Sequence, residues 1–282
     1  MTQIRLGEED IQCLIALDDY TFLDSGIIAG RIFASQYNVS RKLNNLVEAG
    51  YIKAFTSLIT MKTKPKNVYC LTKKGAEVVE EIQGYTNYKP IRQLPVTYLH
   101  TLEVARTIMH FKDSKGMQLK EFVNESNAYF EFGAGAKESI RPDGMFVIGF
   151  EDSDEENIGV LLEIEKTRTK RSIIKEKMNK YQSFFNDEDI RERYIDHLSI
   201  FDEINDWILL YVASTEEIEK YTKRLLLRQK PKDGEVTNDR PGINFPTLLT
   251  NMNLVEDNPY QAIYYAMEQE NTNKRTYIDE YL

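Results

Sequence analysis

The stretch Asn38-Val39-Ser40-Arg41-Lys42-Leu43-Asn44-Asn45-Leu46-Val47-Glu48-Ala49-Gly50-Tyr51-Ile52 decides how the first third of this chain is read. Leu43, Leu46 and Val47 recur at helical spacing and line one face of a helix that begins around Asn38-Val39-Ser40. Gly50 ends that helix, because a glycine just past the last turn takes the left-handed conformation without steric cost. The opposite face presents Ser40, Arg41, Asn44 and Asn45, all able to bond phosphates or base edges.

Working outward, two helices are expected upstream. One starts at Glu8 and carries Ile11, Leu14, Ile15 and Leu17 behind an acidic first turn. The other is capped by Asp24 or Ser25 and covers Ile27, Ile28, Ile32 and Phe33. Downstream, Tyr51 to about Met61 reads as a strand, Lys62-Thr63-Lys64-Pro65-Lys66-Asn67 as a basic turn, and Val68–Leu71 as the returning strand. Thr72 then caps a helix through Ile82. Three helices, a hairpin and a fourth helix make the winged-helix order, which lays the third helix in the DNA major groove and the hairpin tip along the backbone. The candidate DNA contacts are therefore Ser40, Arg41, Lys42, Asn44 and Asn45, with Lys62, Lys64 and Lys66 on the tip.

The charge distribution agrees with that reading. The whole chain is acidic, with a formal net charge of −9. Yet Arg41 to Lys74 holds eight basic residues against the single acid Glu48, the asymmetry of a nucleic-acid-binding module attached to something else. No apolar run is long enough for a membrane span, and Met1–Arg5 running into Glu8-Glu9-Asp10 gives no expectation of a signal peptide. Cys13 and Cys70 are the only cysteines, which points to a cytoplasmic protein without a disulfide framework. The three histidines have no metal-ligand spacing.

The expected organisation is α+β. A winged helix-turn-helix domain over 1–84 is followed by a linker over 85–97 that contains Pro90 and Pro95, and by an α/β domain over 98–282. In that second domain a helix is expected over Tyr98–Phe111. Strands are expected over 118–123, 128–132, 145–150 and 158–165, then a long helix from Thr169 to Phe185 and a strand over Trp207–Val212. A helix from Thr215, a loop from Lys230 to Pro246 and a helical tail over 261–282 complete it.

Chemistry could reside in the acids of this domain. Asp143 follows Pro142 before one strand, while Glu163 and Glu165 end the next and, by strand alternation, share a face. Asp143 and Glu163 could hold Mg²⁺, which takes one or two carboxylates with phosphate and water, and the ion would activate water against a phosphodiester. Candidate catalytic residues are thus Asp143, Glu163, Glu165 and Lys166, although Lys166 falls out of register. The bland alternative treats Pro142-Asp143-Gly144 as a turn and the basic residues from Lys166 to Lys180, Lys177 among them, as a solvated helix face.

Several strings carry resemblances. Leu43 to Ile52 and Tyr69 to Gly75 resemble bacterial winged-helix regulators. The α-β-β-β-α-β order with Pro142-Asp143 and Glu163-Ile164-Glu165-Lys166 resembles the PD-(D/E)XK nuclease-like fold, which normally places Lys where Glu165 stands. Over roughly residues 8 to 215 the winged helix, Tyr98-Leu99-His100-Thr101-Leu102, Arg141-Pro142-Asp143-Gly144 and Leu162 to Thr167 together resemble the replication-relaxation family of plasmids and integrative conjugative elements. That resemblance implies an accessory or regulatory DNA-binding protein of plasmid replication, relaxation or conjugative transfer. It would be a homodimer on double-stranded DNA, with a relaxase or replication initiator as a possible partner and no certain cofactor. The alternatives are a Mg²⁺-dependent nickase or endonuclease using Asp143, Glu163 and Glu165, and a winged-helix transcriptional repressor with a C-terminal sensing domain.

Overall fold

The computed structural model describes residues 5–57, 67–112, 116–133, 138–150, 153, 156–200, 203–227, 243–269 and 272–281. The chain divides into two compact units, Met1–Arg106 and Thr107–Leu282.

In the first unit, α1 (Glu8–Tyr20) leads through a short β1 (Leu23–Asp24) to α2 (Ser25–Arg31), a 3-10 turn (Gln36–Asn38) and α3 (Val39–Glu48). Asp24 caps α2 by accepting from the amides of Gly26 and Ile27 at 2.7 and 2.8 Å. Leu43 and Leu46 are buried under α3, Val47 is half-buried, and Gly50 takes φ +78° to close the helix. Strands β2 (Ile52–Thr56) and β3 (Asn67–Leu71) pair antiparallel, and β1 joins the other side of β3. The expected extension of the first strand to Met61 lies outside the described residues.

Helix α4 (Lys73–Gln83) docks its first turn onto the end of α3. Thr72 Oγ1 donates to the carbonyl of Gly50 at 2.6 Å and accepts from Gly75 N at 3.2 Å. Gly75 sits so close that a Cβ there would lie 2.2 Å from Tyr51 O. The chain after α4 stays with the first unit. Asp18, 3% exposed, accepts from Thr86 Oγ1 and Asn87 N, and Lys53 Nζ donates to Arg92 O at 3.0 Å. These bonds tether the expected 85–97 linker, and the division falls later, inside α5 (Tyr98–Phe111).

The second unit is built on a seven-stranded mixed sheet. Its strands are β4 (Met117–Asn124), β7 (Gly144–Phe150), β8 (Asn157–Glu165), β9 (Asp206–Ala213), β10 (Thr247–Asn251), β11 (Tyr264–Ala266) and β12 (Arg275–Thr276), in the spatial order β4-β7-β8-β9-β10-β11-β12. The centre, β8-β9-β10, is parallel, and every other pairing is antiparallel. Every residue of β8 is buried, as expected of a strand covered on both faces. Parallel neighbours need crossovers. Helices α7 (Arg171–Asn186) and α8 (Glu188–Leu198) join β8 to β9, while α9 (Glu216–Leu226) lies between β9 and β10. Met145, Val147, Leu161, Leu209 and Tyr211 on one face meet Ile174, Met178, Tyr181 and Phe184 of α7 with Tyr194 of α8. On the other, Phe111 sits 4.9 Å from the ring of Phe146.

Three expectations are corrected. The piece at 128–132 is mostly not a strand: α6 (Glu125–Ala128) ends there, and only β5 (Phe130–Glu131) pairs, with β6 (Ser139–Ile140). Helix α8 and strand β10 are additional elements; α8 buries only Ile190 and Tyr194, too sparse a stripe to stand out. The tail over 261–282 is not a helix. Tyr264 and Ala266 alternate inward at the strand period, so the segment forms the β11–β12 hairpin and a 3-10 turn (Ile278–Tyr281) after α10 (Met252–Asp257). The hairpin is anchored by Arg275 Nη2, which donates to Glu219 Oε1 on α9 at 2.9 Å.

Candidate nucleic-acid interface and carboxylate centre

Helix α3 presents Ser40, Arg41, Asn44 and Asn45 as exposed residues along one side. No side-chain hydrogen bond or ion pair among the described residues engages them. Just before the helix, Tyr37 is fully exposed at 100%. A single aromatic in a polar turn carries no periodic signal, so nothing in the sequence marks Tyr37 out. Much of the local positive charge has internal partners. Lys42 is paired with Glu9 and lies over the Phe33 ring, so it points toward α1 and not out with Arg41. Lys53 is bonded to carbonyls, and Lys74 donates to Ala49 O at 2.8 Å above the ring of Tyr51. Lys62, Lys64 and Lys66 lie outside the described residues. Among the described basic residues of Arg41–Lys74, that leaves Arg41 exposed, and Lys73 loosely set beside Glu77 at 3.7 Å.

In the second unit, Asp143, Glu163 and Glu165 gather around the end of β8. Asp143 extends the ladder: its amide donates to Leu162 O at 2.8 Å, and its Oδ2 accepts from Ile164 N at 2.7 Å. Glu163, 1% exposed, lies opposite Tyr211 of β9 and faces α7. Lys177 Nζ bonds one of its oxygens, and Tyr181 OH donates to the other at 2.6 Å. Lys177 and Tyr181, four residues apart, belong to the inward stripe with Ile174 and Met178. That corrects the picture of Lys177 as part of a solvated face. A lysine at i+3 within an apolar i, i+3, i+4, i+7 pattern was the available signal. Glu165 is also buried and accepts from Thr169 Oγ1. Lys166 is half-buried, one place beyond the strand.

These residues do not fit the Mg²⁺ centre that the spacing of Asp143 and Glu163 suggested. Both oxygens of Glu163 are engaged by Lys177 and Tyr181, and Asp143 serves a backbone amide. Among the described residues no three carboxylate, imidazole or thiol groups are placed to share a metal ion.

Burial drives the electrostatics here. Loss of water pushes the Glu163 carboxyl from its ordinary 4.5 up to about 7, opposed by Lys177 and reinforced by the negative charge of Asp143. Burial alone would lower the Lys177 ammonium, but Glu163 and Asp143 more than reverse this and hold it above its ordinary value. Lys177 thus stays charged while Glu163 titrates. Because the folded state keeps the Glu163 proton at a higher pH than the unfolded chain, this group's stabilisation is complete below about pH 4.5 and declines as pH rises toward 7. Urea midpoints measured across that window should slope downward in the wild type and flatten in Glu163→Gln. An identical slope in both proteins would assign the titration elsewhere.

Among the described residues no helix is long and apolar enough to cross a membrane. No curated protein matches the chain. The family model described as Replication-relaxation matches residues 14–197, from α1 through α8, and so takes in α3, Asp143, the β8 acids and Lys177. With well over half of its length covered by that single match, the chain belongs to the replication-relaxation family.

Proposed function

We propose that this protein is a DNA-binding accessory or regulatory factor of a mobile element, acting in replication, relaxation or transfer. Its first unit is read as a winged helix that inserts α3 into the major groove. One observation carries this: α3 sets Ser40, Arg41, Asn44 and Asn45 side by side, exposed and without internal partners among the described residues. A helix face that places a guanidinium beside two amides suits phosphate and base-edge contacts together. Tyr37 adds an aromatic surface at the same end. The second unit, read as a nuclease-like sheet whose acids are neutralised internally, would supply assembly contacts for a dimer and for a relaxase or initiator.

Fluorescence anisotropy with duplex DNA across a salt series tests the reading. Arg41→Ala should weaken binding on every sequence and shallow the salt dependence by about one unit. Asn44→Ala should erase the preference for a selected site by about 1–3 kcal/mol while leaving random duplex nearly unchanged. Failure of the wild type to bind any duplex at low ionic strength would overturn the proposal.

A further inference from the structure

The carboxylate centre poses a charge problem with an internal answer. Glu163 and Glu165 are almost wholly buried, and Asp143 stands close enough to act on Glu163 electrostatically. Ionised together in a low-dielectric interior, such acids need a cation among them. That cation is the ammonium of Lys177, bonded to Glu163 and within the field of Asp143 and Glu165. The donors around it are the hard oxygens that a divalent cation prefers. Tyr181 occupies only one Glu163 oxygen, and the other faces the ammonium. The Lys177 side chain is also 34% exposed, so its stem runs along a path open to water.

We propose that Lys177 stands where a divalent cation would otherwise sit, so that the wild-type centre excludes metal, and that removing this one side chain opens a site for Mn²⁺ or Mg²⁺ on Glu163 and Asp143. The ammonium and the ion compete for the same oxygen, which makes their occupancy mutually exclusive. The lysine thereby supplies one positive charge among these acids without a metal and leaves no metal-bound water to attack DNA.

Isothermal titration of Mn²⁺ into the full chain tests this. The wild type and Lys177→Arg should show no saturable binding at millimolar Mn²⁺. Lys177→Ala should bind one ion with saturation below millimolar Mn²⁺, and adding Asp143→Asn should abolish that binding. Saturable binding in the wild type equal to that in Lys177→Ala would overturn the proposal, as would no binding in the variant. Should Lys177→Ala fail to fold, Lys177→Met keeps the stem volume. Recovery of native circular dichroism by either variant on Mn²⁺ addition supports the exchange, and no recovery by either refutes it.

Discussion

Gly75→Ala should destabilise the first unit by about 3 kcal/mol, even though helix propensity alone favours alanine over glycine by about 1 kcal/mol. The two effects have opposite signs, so the measurement separates them. Gly75 lies in the first turn of α4, and the added Cβ would stand 2.2 Å from Tyr51 O and 3.0 Å from Leu71 Cδ2. A backbone carbonyl cannot rotate away as a side chain would. Tyr51 O is further pinned by Thr72, whose amide donates to it at 3.1 Å and whose hydroxyl, shared with Gly50 O, lies 2.9 Å away. The helix must therefore back off from the α3–β2 turn. Hydrogen exchange of α3, β2 and α4 amides should accelerate together. Thr72→Ala removes the cap without crowding and should cost only about 1 kcal/mol. A stabilised Gly75→Ala would show that the close approach relaxes freely.

The second large effect is expected at the opposite end of the chain. Arg275→Ala should cost about 3 kcal/mol, because it strands Glu219, 2% exposed, without its cation. Asn251 Nδ2 still donates to Glu219 Oε2 at 2.9 Å, but an amide dipole does not neutralise a carboxylate. Arg275 also lies over the Tyr265 ring at 4.1 Å, so its planar group does two jobs at once. Arg275→Lys should consequently restore less than half of the loss. Glu219→Gln should cost less than Arg275→Ala, and combining the two should cost less than their sum, since the stranded charge is then gone. Urea denaturation of the four variants checks this. A loss below about 0.5 kcal/mol in Arg275→Ala would place the pair among ordinary surface contacts.

Legibility in the sequence followed the range of the interactions. The elements of the first unit were readable because each signal is local: Asp24 and Thr72 cap helices whose amides lie two or three residues away, and Gly50 ends α3 where it stands. The central strands showed as long apolar runs. The tail did not, because Arg275 finds its partner 56 residues upstream and no window of sequence contains both. In the carboxylate centre the acids were legible from strand alternation, while their partner was not. Lys177 lies among other basic residues, and only its phase with Ile174, Met178 and Tyr181 distinguishes it from the outward-facing ones.

The parallel pairing of β8 with β9 also has a consequence in time. At about 5–20 residues per second, a ribosome that has finished Glu165 needs on the order of 2–10 s more to reach Ala213. The compact N-terminal elements can settle within that interval, but the apolar strand Asn157–Glu165 has one flank without a neighbour until the later segment emerges. Nascent chains stalled between these points would be sticky intermediates, natural clients for a chaperone that shields extended apolar segments.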